Sequence, residues 1–137
     1  MDAAQARARF AGARVARLAT VGESGAPRLV PVTFAVQGDE IVTAVDHKPK
    51  RTTDLRRLRD IRHEPRVSVL ADHYDDDWAQ LWWARADGTA SVHESGPVRE
   101  AALRALAGKY PQYARRVPGG AVIVIAVSRW SGWSYTG

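Results

Sequence analysis

Cysteine is absent from the 137 residues. Disulfides, thiolate zinc sites, iron–sulfur clusters and a cysteine nucleophile are therefore excluded. Redox chemistry in such a chain has to come from a bound organic cofactor, or from a metal held by histidine and carboxylate. No apolar run approaches the roughly 18 to 20 residues that a membrane helix needs. The opening MDAAQARARF scatters acid and arginine where a secretory signal carries an apolar segment. The expectation is a cytoplasmic protein with no membrane partner. Familiar chemical motifs are missing too. There is no G-x-G-x-x-G and no G-x-S-x-G, and the position five before Gly108-Lys109 is Leu103, not the glycine of a phosphate loop. His47, His63, His73 and His93 stand apart, with no H-x-x-x-H pair. Asp72, His73 and Asp75 to Asp77 lack the glycine and terminal glutamate of a calcium loop, so they read as a solvated acidic loop with no metal.

Lysine is scarce as well. Only Lys48, Lys50 and Lys109 occur among 20 basic residues, and the other 17 are arginine. That bias suits either anion recognition by planar guanidinium groups or a GC-rich coding preference. The placement of charge is more telling. Residues 47–66 hold Lys48, Lys50, Arg51, Arg56, Arg57, Arg59, Arg62 and Arg66 against Asp54, Asp60 and Glu64. That segment carries the whole net charge of +5, and the remainder balances at zero. A local excess of this kind suggests an anion site.

The length fits one domain over residues 1–137, and 45% hydrophobic with 26% charged residues is ordinary globular composition. Residues 3–13 read as a helix and 15–20 as a strand. Residues 28–36 alternate, with Val30, Val32, Phe34 and Val36 on one face and Leu29, Pro31, Thr33 and Ala35 on the other. Gly38-Asp39 turns the chain into a strand over 41–46. Leu55, Leu58 and Ile61 recur at helical spacing over 52–62, and Pro65 ends that helix. Strands are predicted over 67–74, 78–85 and 89–93, with Gly88 turning the chain between the last two. Pro97 opens a helix, 121–127 is an apolar run of strand length, and a Trp-bearing tail or strand follows. Six or seven strands in hairpin order, with helices inserted at three places, predict a mainly β, α+β architecture: a β-barrel with short peripheral helices.

Within this order, His47-Lys48-Pro49-Lys50-Arg51-Thr52-Thr53-Asp54-Leu55 follows a strand and opens a helix. Free N–H groups and the helix dipole favour an anion at such an end. Thr52 or Thr53 can cap and offer a hydroxyl, and Arg56 returns to the face of Thr52. The positions that would complete a capping box are Leu55 and Arg56, so no internal carboxylate competes. The alternative is a solvated basic face. Trp78, Trp82 and Trp83 form a cluster that suits a flat ligand against indole, or packing in a core or dimer interface. As one strand it would put Trp78 and Trp82 on one face.

The order LATV (Leu18 to Val21), GAPRLVPVTF (Gly25 to Phe34), a Gly-Asp hairpin and DHKPKRTTDLRRLRDIRHEPRVSVLADHYDDDW (Asp46 to Trp78) resembles the pyridoxamine 5′-phosphate oxidase-like split β-barrel family. The K-P-K-R-T block and D-D-D-W are similar to its deazaflavin branch, the F420-dependent oxidoreductases. The resemblance runs through nearly the whole chain. It implies a split barrel of the FMN-binding type, a homodimer, and two cofactor sites at the subunit interface. It implies that Lys50, Arg51 and Thr52 hold the cofactor phosphate, and Arg56 joins these cofactor-binding candidates by its helical spacing from Thr52. Pro31, Val32 and Thr33 of the second strand, with Val45, would line the ring, and Trp78 would sit nearby, from either subunit. The family's pyridoxamine phosphate oxidases extend to an arginine-bearing substrate segment. The residues here run to Ser134-Tyr135-Thr136-Gly137, so a pyridoxamine phosphate substrate is not expected.

The resemblance thus implies an F420-dependent oxidoreductase that delivers a hydride from reduced deazaflavin to a small conjugated organic substrate. The local excess of +5 suits a phosphate with a polyglutamate tail. No catalytic acid is evident; His73, Tyr74 or solvent could supply a proton. An FMN- or haem-binding barrel used as an oxidase or carrier is the alternative. Nucleic-acid binding by the basic helix is disfavoured by the carboxylates interleaved along it and by the neutral remainder.

Overall fold

The computed structural model describes residues 1–45 and 51–136, with the side chains of 51–55 outside that description. Eleven regular elements follow one another among the described residues. They are α1 (Ala3–Gly12), β1 (Ala16–Val21), β2 (Pro27–Val32), β3 (Ala35–Gln37), β4 (Glu40–Ala44), α2 (Arg51–His63), β5 (Arg66–His73), β6 (Trp82–His93), α3 (Pro97–Lys109), α4 (Pro111–Arg115) and β7 (Val122–Ser134). A 3-10 turn, Trp78–Gln80, precedes β6.

All seven strands join one antiparallel sheet in the order β2-β1-β5-β6-β7-β4-β3. The two strands at its margins, β2 and β3, are consecutive in the chain and separated only by Thr33 and Phe34. Two residues cannot span a flat seven-stranded sheet at about 4.8 Å per strand. The sheet therefore rolls until its margins meet at that corner, and the result is the expected split barrel with peripheral helices. The run 28–36, expected as one strand, is two strands on opposite margins. Its alternation survives on both sides of the corner, which is why the pattern does not reveal the break.

Two further expectations are corrected. Gly88 is no turn: β6 runs unbroken through it, with a bulge between Asp87 and Gly88 in the pairing with β7. A side chain there would collide with the backbone, since a Cβ would run into the Ala126 carbonyl oxygen. Trp78 is not in a strand either. Asp77 caps its 3-10 turn by accepting the Ala79 N–H at 3.1 Å, so Trp78 does not share a strand face with Trp82.

Hydrophobic alternation explains the layers. Ile123 and Ile125 of β7 point into the barrel beside Leu18, Val69, Ala86 and Ile41. Val122 and Val124 point the other way, onto Leu103 and Leu106 of α3. Burial on both faces is why residues 121–127 read as an unbroken apolar run. Helix α1 starts at a capping box between Asp2 and Gln5 and sends Phe10 into the barrel, 4.7 Å from the Phe34 ring and 5.3 Å from Trp130. At the other end of α1, Lys109 Nζ donates to the carbonyls of Ala11 (3.2 Å) and Ala13 (2.7 Å) and lies 3.7 Å over the Phe34 ring. Helix α2 places Leu58 and Ile61 against the barrel. It passes into β5 through a clamp in which Glu64 accepts from the Arg66 guanidinium and backbone N–H. Those hydrogen bonds hold the Glu64 carboxyl down at about 2. No helix among the described residues is long and apolar enough to cross a membrane.

Candidate cofactor site

The end of the barrel beneath α2 opens into a cleft of about 300 Å³ lined by Thr20, Arg28, Leu29, Val30, Arg56, Arg57 and Asp60. Its chemistry follows from register. Thr20 and Arg28 face each other across β1 and β2. One turn of α2 supplies Arg56, Arg57 and Asp60, while Leu58 and Ile61 on its other face anchor the helix. Asp60 is 3% exposed, the only buried carboxylate among the described residues. Its Oδ2 lies 2.7 Å from Arg28 Nε. Both atoms are buried, so the two charges meet away from solvent. The carboxylate offsets the Arg28 charge across this contact. Arg28, Arg56 and Arg57 line the cleft together with Asp60, so arginine predominates among its charged lining residues.

The residues expected at the site are distributed as follows. Arg56 lines the cleft. Lys50 lies outside the described residues, as do the side chains of Arg51 and Thr52. Pro31 is exposed on β2 and Val32 is buried in the core. Val45 is also in the core, and its N–H donates to the Ala121 carbonyl at 2.9 Å. Thr33 is half-buried, with Oγ1 2.8 Å from the Tyr113 hydroxyl. From Arg28 to Thr33 the backbone covers five residues, about 17 Å of strand, so β2 leads from the cleft to the corner. Trp78 belongs elsewhere. The pairing Ala19↔Ser68 sets Thr20 beside the Arg66 end of β5, whereas Trp78 follows the His73 end, about 25 Å away along the strand. Within one chain the structure does not bring Trp78 to the cleft.

Arg28 was not anticipated as a site residue. The signal was present: in a strand otherwise apolar on its inward face, Val30 and Val32 share that face with a cation. A cation facing inward needs a counter-charge or a ligand.

A second depression of about 370 Å³ lies against β5, β6 and β7. Leu70, Trp83 and Trp133 form its apolar surface, with His73 stacked on Trp82 at 6.3 Å between ring centroids. Arg85 Cζ sits 5.6 Å over the Trp83 ring. No group of three or more histidines and carboxylates that could hold a metal occurs among the described residues.

A rolled antiparallel sheet with an arginine-lined cleft at one end defines an α+β split barrel. Residues 3–134 match the family model for pyridoxamine 5′-phosphate oxidase, and the chain belongs to that family. Solved structures agree on the fold. A conserved hypothetical protein from Mycobacterium tuberculosis superposes with a TM-score of 0.78 at 22% identity, covering 98% of this chain and 85% of that one. A heme binding protein from Mycobacterium smegmatis gives 0.78 at 23% identity, over 98% of this chain and 55% of that one. A FAD-binding protein from Mesorhizobium loti gives 0.70 at 20% identity, over 96% and 94% of the two chains. No curated protein matches the sequence.

Proposed function

We propose that this protein binds a phosphate-bearing flavin-type cofactor and that, within that class, it is an F420-dependent oxidoreductase acting in the cytoplasm on a small conjugated organic compound. The observation that carries the reading is the cleft: Arg28, Arg56 and Arg57 line it together with Asp60, the one buried carboxylate among the described residues. Those residues fit the anionic handle of such a cofactor. The family resemblance assigns Lys50, Arg51 and Thr52 to the same handle. Arg56 supports the tail on the helix face, where the excess charge of residues 47–66 favours several carboxylates over one phosphate.

Along β2, Pro31, Val32 and Thr33 would fix the ring from one side, with Val45 close by in the core. A second copy would complete the site with Trp78, which one chain holds a strand's length from the cleft. When bound, reduced F420 supplies a hydride to the substrate, and solvent or a nearby acid supplies the matching proton. The protein's part is to hold the anionic handle, orient the flat face and exclude water.

A haem- or FMN-binding carrier or oxidase is the second reading. The apolar depression with His73 beside Trp82, Trp83 and Trp133 favours haem specifically, because it joins a flat aromatic surface to an imidazole. The deciding experiment titrates the purified protein with F420, FMN, FAD and haemin side by side. Tight F420 with weak FMN supports the proposal. Tight haemin that depends on His73, or tight FMN alone, replaces it. Lys50→Ala, Arg51→Ala and Arg28→Ala should each weaken cofactor binding by roughly 1.5 to 3 kcal/mol, the range for charge-assisted hydrogen bonds. Unchanged affinity in all of them would put the handle elsewhere.

A further inference from the structure

The barrel closes where Thr33 and Phe34 carry the chain from one sheet margin to the other. Residues at such a corner lie outside the strand ladders, so their polar groups need other partners. Three side chains from distant parts of the chain provide them. The Phe34 N–H donates to the Tyr110 hydroxyl at 3.1 Å, and that hydroxyl donates onward to the Arg14 carbonyl at 2.9 Å. The Thr33 carbonyl accepts from Thr43 Oγ1 at 2.7 Å, and Thr33 Oγ1 meets the Tyr113 hydroxyl at 2.8 Å. Burial pushes the Tyr110 phenol up, so it remains a protonated donor.

Both tyrosines come from the junction of α3 and α4, where Tyr110 stays extended because Pro111 opens the next helix. Their rings meet edge-on at 5.7 Å. Phenylalanine would fill the same space at either position, so packing does not call for the hydroxyls. What they supply is direction: they hold Thr33 and Phe34, and through them the end of β2.

We propose that Tyr110 and Tyr113 are positioning residues for the cofactor strand, setting the presentation of Pro31 to Thr33 by hydrogen-bonding the barrel's closing corner. The inference rests on the flavin-type reading above and extends it to two residues that lie outside the arginine-lined cleft.

The test titrates FMN and F420 into the wild type, Tyr110→Phe, Tyr113→Phe, Thr33→Val and the Thr33→Val/Tyr113→Phe double variant. Leu103→Ala, which opens a cavity on α3 and leaves both hydroxyls in place, serves as the control for plain destabilisation. Each phenylalanine variant should weaken the tighter cofactor by about tenfold and shift the visible circular dichroism of the bound ring. Leu103→Ala should lower the melting temperature at least as much while keeping affinity within about twofold. Thr33→Val should reproduce Tyr113→Phe, and the double variant should be no worse than either, because both remove one hydrogen bond. Phenylalanine variants that bind like the wild type overturn this inference alone. A Leu103→Ala loss of equal size also overturns it, since the effect would then be general loosening. A wild type that binds neither FMN nor F420 removes the proposed function and this inference together.

Discussion

Lys109 is the described lysine, and its ammonium is held at close quarters. It reaches two carbonyls at the end of α1 while sitting 3.7 Å above the Phe34 ring. Burial first, and then the neighbouring charge of Arg14, push its pKa down from 10.5 to about 8. The unfolded chain therefore binds this proton more tightly than the folded one does. Stability should rise as the pH climbs from about 8 toward 10.5, because the neutral amine folds without that cost and still has two N–H donors for its two carbonyls. Denaturant titrations at intervals across that window check this. Lys109→Met should abolish the rise specific to this group, and an equal rise in both proteins would refute it.

The most informative element is β6. Twelve residues pass from a Trp-rich end, through the bulge at Asp87 and Gly88, to His93, pairing with β5 on one side and β7 on the other. Gly88 looks like a turn in the sequence because glycine is common in turns. Here it serves close approach: the Ala126 carbonyl occupies the place a side chain would take. Gly88→Ala should cost about 1 to 3 kcal/mol, the range for forcing extra volume into a packed site. Equilibrium unfolding in urea measures that loss, and a variant as stable as the wild type would mean the strands separate at little cost. Helix α2 shows the opposite case. Its apolar spacing and the proline after it place it within a residue or so of the expected bounds, and its cations occupy the face that spacing leaves free.

Over the whole molecule, apolar side chains gather on the outer face of the sheet. Leu29 is 74% exposed on β2, and Leu70, Trp83 and Trp133 line the depression on β5 to β7. An apolar face of this extent on one side of a sheet suits burial against a second copy, in keeping with the proposed homodimer. Static light scattering should give twice the chain mass for the wild type. Leu70→Asp should give a folded monomer by circular dichroism, and if cofactor sites form between copies it should lose cofactor affinity as well. A wild-type monomer that binds cofactor fully would exclude shared sites.

Local pattern carried much of this molecule. Spacing of apolar residues marked the helices, alternation marked the strands, and the isolated cationic block pointed to α2, because each of these depends on neighbours within a turn or a hairpin. What the sequence could not decide depends on residues far apart in the chain. The alternation through 28–36 is the same whether the run is one strand or two, and only closure of the sheet separates β2 from β3. Arg28 joins the cleft lining only when α2 folds across β1 and β2 and sets Asp60 beside it. Tyr110 and Tyr113 acquire their partners some eighty residues away only because the barrel's margins meet under α3 and α4. Short-range periodicity fixes elements, whereas long-range closure determines which of their polar groups are left facing one another.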